Sequence, residues 1–448
     1  MNNDYTNYGI SSQNNDSDDT SNSSEDWNQW HEQNMQLDLL IEDALTSSPN
    51  PFIQPRNPKP RKKRRFIERN REMGHERLFN DYFSDNPVYP PNIFRRRFRM
   101  QKHLFLRLVD TISARDPYFQ QRPNGSGRLG FSALQKCTAA LRVLAYATSS
   151  DSVDEYMRMS ETVVKDCVTH FVEGVISNFG EEYLRKPNEQ DVARLLEVGN
   201  MRGFPGMMGS IDCMHWEWKN CPTAWAGQFA GRNGKTTIIL EAVASHDLWI
   251  WHAFFGTPGT CNDINVLQRS PVFNEVLQGR APKVSFNVNG HDYNMGYYLT
   301  DGIYPQWATF VKSITAPQIY KHKLFAKYQE SVRKDVERTF GVLQARFPFI
   351  KRPCLLWSKE LMGKILMACI IMHNMIVEDE RDTYLNQYET TYHQTGDEDE
   401  EPLEYTTGGS INIDSYMANR EQLRSREIHN NLKNDLIEHI AEHFGNNN

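Results

Sequence analysis

Apolar positions recur every three or four residues in FSALQKCTAALRVLAYAT (131–148), which predicts an amphipathic helix. Upstream, NIFRRRFRMQKHLFLRLVD (92–110) sets Phe94, Phe98, Leu104 and Leu108 on one stripe, with Arg95, Arg96, Arg97 and Arg99 off it; this predicts another helix. In SVDEYMRMSETVVKDCVTHFVEGV (152–175) the helical pattern breaks near Ser160, a residue type that caps helix N-termini. Helix, short turn and helix is the outline of a helix-turn-helix, and equally of many helical bundles. From about 205 the period falls towards two. GMMGSID, TTIILEAVAS (236–245) and LWIWHAFFG (248–256) read as strands, the last two as a hairpin across His246 and Asp247. A helical stretch follows at 262–279, then a fourth strand, GYYLTD (296–301). The helix at 331–347 carries Val332, Val336, Phe340 and Leu343 on one stripe. The most apolar run, LMGKILMACIIMHNMI (361–376), is short for a membrane span and is interrupted by Lys364, His373 and Asn374. It predicts a buried core helix and a protein without a membrane partner.

Three meandering strands, a helix, a fourth strand and further helices form the element order of a ribonuclease H-like α/β core. That core is a mixed sheet with flanking helices, its fourth strand beside and parallel to the first. Adjacent strands lie about 4.8 Å apart. Asp212 and Asp301, expected at the ends of those two strands, would then stand side by side at one sheet edge. A third acid must come from a helix packed across the sheet, and Glu337 is placed for it. Carboxylates that converge in this way cannot all stay ionised without compensation. Oxygen-only ligands suit Mg²⁺ or Mn²⁺. Two such ions about 3.5–4 Å apart serve in-line phosphoryl displacement. Taken singly, each acid has an ordinary role: a strand-end Asp is a turn residue, and Glu337 can pair with Arg333 or Arg338. Asp263 reads as a helix cap bordering the site. GKT (234–236) is no nucleotide loop, because the pattern needs Gly where Phe229 stands.

Charge changes the picture by its segregation. Residues 1–50 hold ten acids and no Lys or Arg, and 378–404 hold eleven acids and one Arg, so 51–377 carry a net +15 although the whole chain is at −7. A basic body suits a polyanionic partner. Seven scattered cysteines without a C-x-x-C pair argue for a reducing compartment. Cys213, His215 and Cys221 lie close in sequence but lack zinc-finger spacing. The expected organisation is a disordered acidic tail (1–58) with a helical island at 35–45, then a basic linker (59–89). An all-α, helix-turn-helix-like domain (90–200) and the α/β core (201–380) follow, with an acidic linker (381–412) and a C-terminal helix (413–448). In the basic linker, Lys59, Arg61, Lys62, Lys63, Arg64 and Arg65 read as a nuclear import signal.

The motifs GSIDCMHWEWKNCPTAW, TIILEAVASHDLWIWHAFFG, NDINVL, YYLTDGIYP and ERTFGVLQARF, in this order, resemble the PIF/Harbinger transposases, in particular the plant Pong-like branch. The resemblance covers most of residues 60–380 and the closing LKNDLIEHIAEHF helix. It implies a DDE-type nuclease in the nucleus that cuts transposon ends and joins the freed 3′-hydroxyl to A/T-rich target DNA. The acidic triad of that family falls on Asp212, Asp301 and Glu337. A Myb-like accessory protein would recognise the double-stranded DNA, and at least a homodimer would hold two ends. Ala226 stands where the pattern leads one to expect Lys. Arg95, Arg96, Arg97, Arg99, Lys312, Lys321, Lys323 and Lys327 are the expected phosphate contacts. The rival expectation is a domesticated, non-enzymatic chromatin adaptor on the same fold.

Overall fold

Seven helices precede the first strand among the described residues: α1 (Arg71–Tyr82), α2 (Pro91–Phe98), α3 (Lys102–Arg115), α4 (Ala133–Tyr146), α5 (Ser150–Met157), α6 (Glu161–Tyr183) and α7 (Glu189–Met201). The computed structural model describes residues 67–381 and 413–445, apart from 124, 126, 232 and 283. The acidic tail, the basic run at 59–65 and all but the first residue of the acidic linker lie outside the described residues. α1 falls within the stretch expected as a basic linker. The single helix expected over 92–110 is two helices, divided where Arg99 takes the left-handed conformation at φ 65°. Six residues separate Phe98 from Leu104, a spacing that loses phase with a 3.6-residue turn. All four stripe residues are nonetheless buried. α4 opens on a capping box between Ser132 and Gln135, and Ser160 caps α6 by accepting from the Val163 N–H.

The α/β part follows as β1 (Met207–Glu217), α8 (Thr223–Phe229), β2 (Thr237–Ala244), β3 (Ile250–Pro258), α9 (Asp263–Arg269) and α10 (Asn274–Leu277). A small hairpin, β4 (Phe286–Val288) and β5 (His291–Tyr293), leads to β6 (Tyr297–Thr300) and β7 (Phe310–Lys312). Among the described residues four helices follow: α11 (Tyr320–Arg346), α12 (Lys359–Asp379), α13 (Ile413–Leu423) and α14 (Arg426–Phe444). The mixed sheet has the order β3-β2-β1-β6-β7. β1, β2 and β3 are antiparallel, whereas β6 runs parallel to β1 and β7 parallel to β6. The fourth strand of this sheet therefore lies beside the first, as the element order led us to expect. β4, β5 and β7 were not foreseen, because three residues are too few to show a period.

β1 does not end at Asp212. It continues to Glu217, paired with β2 as far as Thr237, while its pairing with β6 stops at Ser210–Leu299. The sheet edge at Asp212 thus arises because β6 is short. Two residues before Ser210 the β1–β6 register shifts, and Gly209 adopts φ 144° there. A Cβ on Gly209 would meet the Ala244 carbonyl oxygen at 2.7 Å, so only glycine fits this approach.

One hydrophobic core runs from Leu78 through the helices and the sheet to Leu423. Residues Arg69–Asn448 form one compact unit, without a break at 200. α12 joins the two parts, packing on α6 and β3. It is long and apolar enough to cross a membrane, yet most of it is buried inside the protein. Asn374 at its centre accepts from the Ile250 N–H (2.9 Å) and donates to the carbonyls of Tyr183 (2.8 Å) and Ile250 (2.9 Å). α6 also packs on α3, α4 and α5 and buries Val164, Phe171 and Val175 among others, while Glu161, Thr162, Lys165 and Asp166 on its first turns stay exposed. A second cluster surrounds β6, where Tyr297, Leu299 and Val311 meet Leu432, Leu436 and Ile440 of α14.

Candidate active site

Asp212 and Asp301 come level because their strands are neighbours in parallel register. Ser210 pairs with Leu299, so two further steps along each chain reach the two acids. Asp212 accepts from the Cys213 N–H at 2.8 Å, and Asp301 from the Ile303 N–H at 3.0 Å. Burial pushes the Asp212 carboxyl up to about 6; Asp263 and Asp301 add to the rise, while the Cys213 N–H and Arg333 oppose it. Lys312, at the end of β7, is half-buried beside Asp301. Burial lowers its ammonium from the usual range and Asp301 works against that.

Glu337 lies on α11, which packs across the face of β1 that carries Asp212. Ser210 Oγ on that face donates to the Val332 carbonyl, and Gln344 reaches Met214. One α11 side chain ties the acids together. Arg333, mostly buried, sets Nη1 at 2.8 Å from Glu337 and 3.4 Å from Asp212. The ordinary helical pairing of Glu337 with Arg333 is thus present, and it also draws Glu337 towards Asp212. α11 is locked in place by Asp335, which Arg202 and His246 hold below the usual carboxylate range although burial opposes them.

The opposite face of β1 holds Cys213 and Asp263, read from sequence as a residue without zinc-finger spacing and as a cap, together with Glu241 and Tyr304, which the sequence reading passed over. The cap expected of Asp263 is made by Asn262, whose side chain accepts from the Asn265 N–H. Asp263 is instead the first residue of α9. Burial raises its carboxyl, Asp301 adds to the rise, and a hydrogen bond with Cys213 opposes it. Cys213 stands opposite Glu241 of β2 and 3.7 Å from the Tyr304 hydroxyl. Glu241 is fully buried, its carboxylate oxygens without hydrogen-bond partners and 3.4 Å from His252 Nε2. Two capping residue types in a row, Asn262-Asp263, were the available signal, since only one of them can be the cap.

The expected phosphate contacts divide. Arg95 pairs with Glu380, Arg97 lies over Tyr89 and bonds the Tyr82 hydroxyl, and Arg99 donates to the Ala145 carbonyl; Arg96 is exposed. Lys321 pairs with Glu438, while Lys323 and Lys327 are exposed on the first turns of α11.

The donors near Asp212 are crowded, oxygen-bearing and short of positive charge, which fits a hard divalent cation. Arg333 supplies part of that charge. Among the described residues no three His, Cys, Asp or Glu side chains are close enough to hold a metal together. Asp212, Asp301 and Glu337 are therefore neighbours and not a formed ligand set.

A family model described as plant transposon protein matches residues 181–384, which include all three acids, and a domain of unknown function matches 74–113. The chain is 23% identical over 280 residues to the human protein named "Putative nuclease HARBI1", covering 61% of this chain and 76% of that protein. The Xenopus laevis protein of the same name is 24% identical over 284 residues, 61% of this chain and 75% of its own. "Protein ALP1-like" of Arabidopsis thaliana is 22% identical over 310 residues, 66% of this chain and 73% of that protein. No solved structure matches significantly.

Proposed function

The chain belongs to the PIF/Harbinger superfamily, and from that premise we propose that it is a DNA transposase that works by metal-dependent phosphoryl transfer. It would cut transposon ends and join the freed 3′-hydroxyl to target DNA. The observation that carries this reading is the pair Asp212 and Asp301, level on adjacent parallel strands, with Asp212 raised to about 6. A carboxyl raised first by burial and then by neighbouring acids gains from a cation that stabilises its charge. Mg²⁺ or Mn²⁺ would be held by Asp212 and Asp301 with Glu337 completing the set, and when bound would activate the attacking oxygen and neutralise the leaving one.

The chain's own residues do the rest. Arg333 keeps Asp212 and Glu337 together and offers its guanidinium to a phosphate oxygen when DNA arrives. Lys312 adds positive charge beside Asp301, and Lys323 and Lys327 extend it along α11, positioning phosphates without reading sequence. The strand order β3-β2-β1-β6-β7 supports a ribonuclease H-like reading of the core. Glu161 and Asp166, exposed acids on the first turns of α6, weigh against it as a DNA reader, which leaves recognition of element ends to a Myb-like partner. A nuclear location and a homodimer or larger assembly on DNA complete the proposal. The alternative, a non-enzymatic chromatin adaptor, draws on one observation: the Arg333 ion pairs already satisfy Asp212 and Glu337 in part.

Cleavage of terminal-repeat DNA with Mg²⁺ and the accessory protein tests the proposal. Asp301→Asn should lower cleavage by at least about a thousandfold with DNA binding retained, because the amide keeps its size and loses its charge. Unchanged cleavage in Asp301→Asn, or in the presence of a chelator, overturns it.

A further inference from the structure

Beyond the far end of β1 the chain holds two large apolar side chains in solvent: Leu355 is 60% exposed and Trp357 69%. They sit on a clamped segment. The buried indoles of Trp216 and Trp218 donate to the carbonyls of Arg352 (2.9 Å) and Leu356 (2.7 Å). The Cys354 N–H donates to the Glu217 carbonyl (2.8 Å), and the Lys219 N–H to the Cys354 carbonyl (2.9 Å). Asn220 Nδ2 donates to the Leu355 carbonyl (2.7 Å), and Ser358 caps α12 just beyond. A loose loop would fold these side chains inward. This one is tied through its backbone up to Leu356, so Trp357 is held at the surface.

The surroundings are cationic. Lys219, Lys351 and Lys359 are exposed and make no ion pair among the described residues. The neighbouring acids are already neutralised, Glu217 by Lys235 and Glu360 by Lys364. We propose that Trp357 and Leu355, with Lys219, Lys351 and Lys359, form a docking surface for an unpaired nucleotide of single-stranded DNA. The indole stacks on the base and the lysines meet the flanking phosphates. Free cations around an aromatic ring favour a polyanion over an apolar protein segment. An unpaired base is required, because bases in a duplex keep their faces in the stack. Trp218 lies just past the end of β1, six residues beyond Asp212 and about 20 Å along the extended chain. The inference rests on the proposed DNA chemistry for the source of the single strand, although binding itself needs no cleavage.

The test is fluorescence anisotropy of the full chain, without Mg²⁺, on a labelled duplex and on the same duplex with a short single-stranded extension. The extension should tighten binding by about tenfold or more. Trp357→Ala should remove that gain and leave duplex binding unchanged, while Trp357→Phe keeps most of it. Absence of any gain, or a gain that survives in Trp357→Ala, overturns the surface; so does a Trp357→Ala defect confined to binding of a protein partner. A Trp357-dependent gain in a protein that never cleaves upholds the surface and sinks the transposase reading. Cleavage together with an indifferent Trp357→Ala does the reverse.

Discussion

Burial first, and then the acids at 263 and 301, make ionisation of Asp212 costly in the folded protein. In the unfolded chain its carboxyl returns to the ordinary value near 4. The folded state therefore binds the proton more tightly, and between about pH 4 and pH 6 it holds more protons than the unfolded chain. Stability falls as pH rises through that window, and the penalty is complete above it, at roughly 3 kcal/mol. We expect Asp212→Asn to be more stable than the wild type at pH 7.5 by about 1–3 kcal/mol, with the advantage gone near pH 4. Urea unfolding at both values measures it, and equal differences at the two would contradict the assignment. The acids themselves were legible in the sequence, because SID and LTD close apolar runs. Arg333 was legible only as half of a surface pair four residues from Glu337. Its reach to Asp212 depends on the packing of α11 over β1, which no local pattern records. Glu241 was hidden more deeply: in TIILEAVA it resembles a solvent-facing strand position until the fold buries it.

At the level of elements, α12 shows how one apolar run organises its surroundings. Asn374 is buried without a trace of solvent and ties α12 to β3 and to the end of α6. Asn374→Ala would leave one buried N–H and two carbonyls short of a partner, at about 1–3 kcal/mol each. We expect a total loss of at least about 3 kcal/mol by urea unfolding; a loss under 1 kcal/mol would mean that the neighbours re-pair. The helices and the main strands were readable because each spans two or more periods of its pattern. Position was not readable. The arginines of α2 looked like a DNA-facing stripe, yet Arg97 lies against Tyr82 and Tyr89 and Arg95 meets Glu380. A guanidinium off the apolar stripe satisfies a neighbouring element as readily as a phosphate.

For the molecule as a whole, the proposed function makes the basic body between acidic flanks the surface that would meet DNA. The chain alone should bind terminal-repeat and scrambled duplexes about equally. A plot of log affinity against log salt should be steeper than about −3, which marks several phosphate contacts. A sharp footprint on the terminal repeat at physiological salt, without a partner, would overturn this division of labour. The cluster that seats β6 governs timing as well. Leu299, next to Thr300 and Asp301, packs against Leu432, Leu436 and Ile440 of α14. Those residues are made after the acids, Ile440 nearly a third of the given sequence after Asp301. At 5–20 residues per second, that delay is roughly seven to thirty seconds. For that time a nascent chain holds the apolar side of β6 without its α14 cover, and a prematurely terminated product that lacks α14 leaves Leu299 and Val311 exposed.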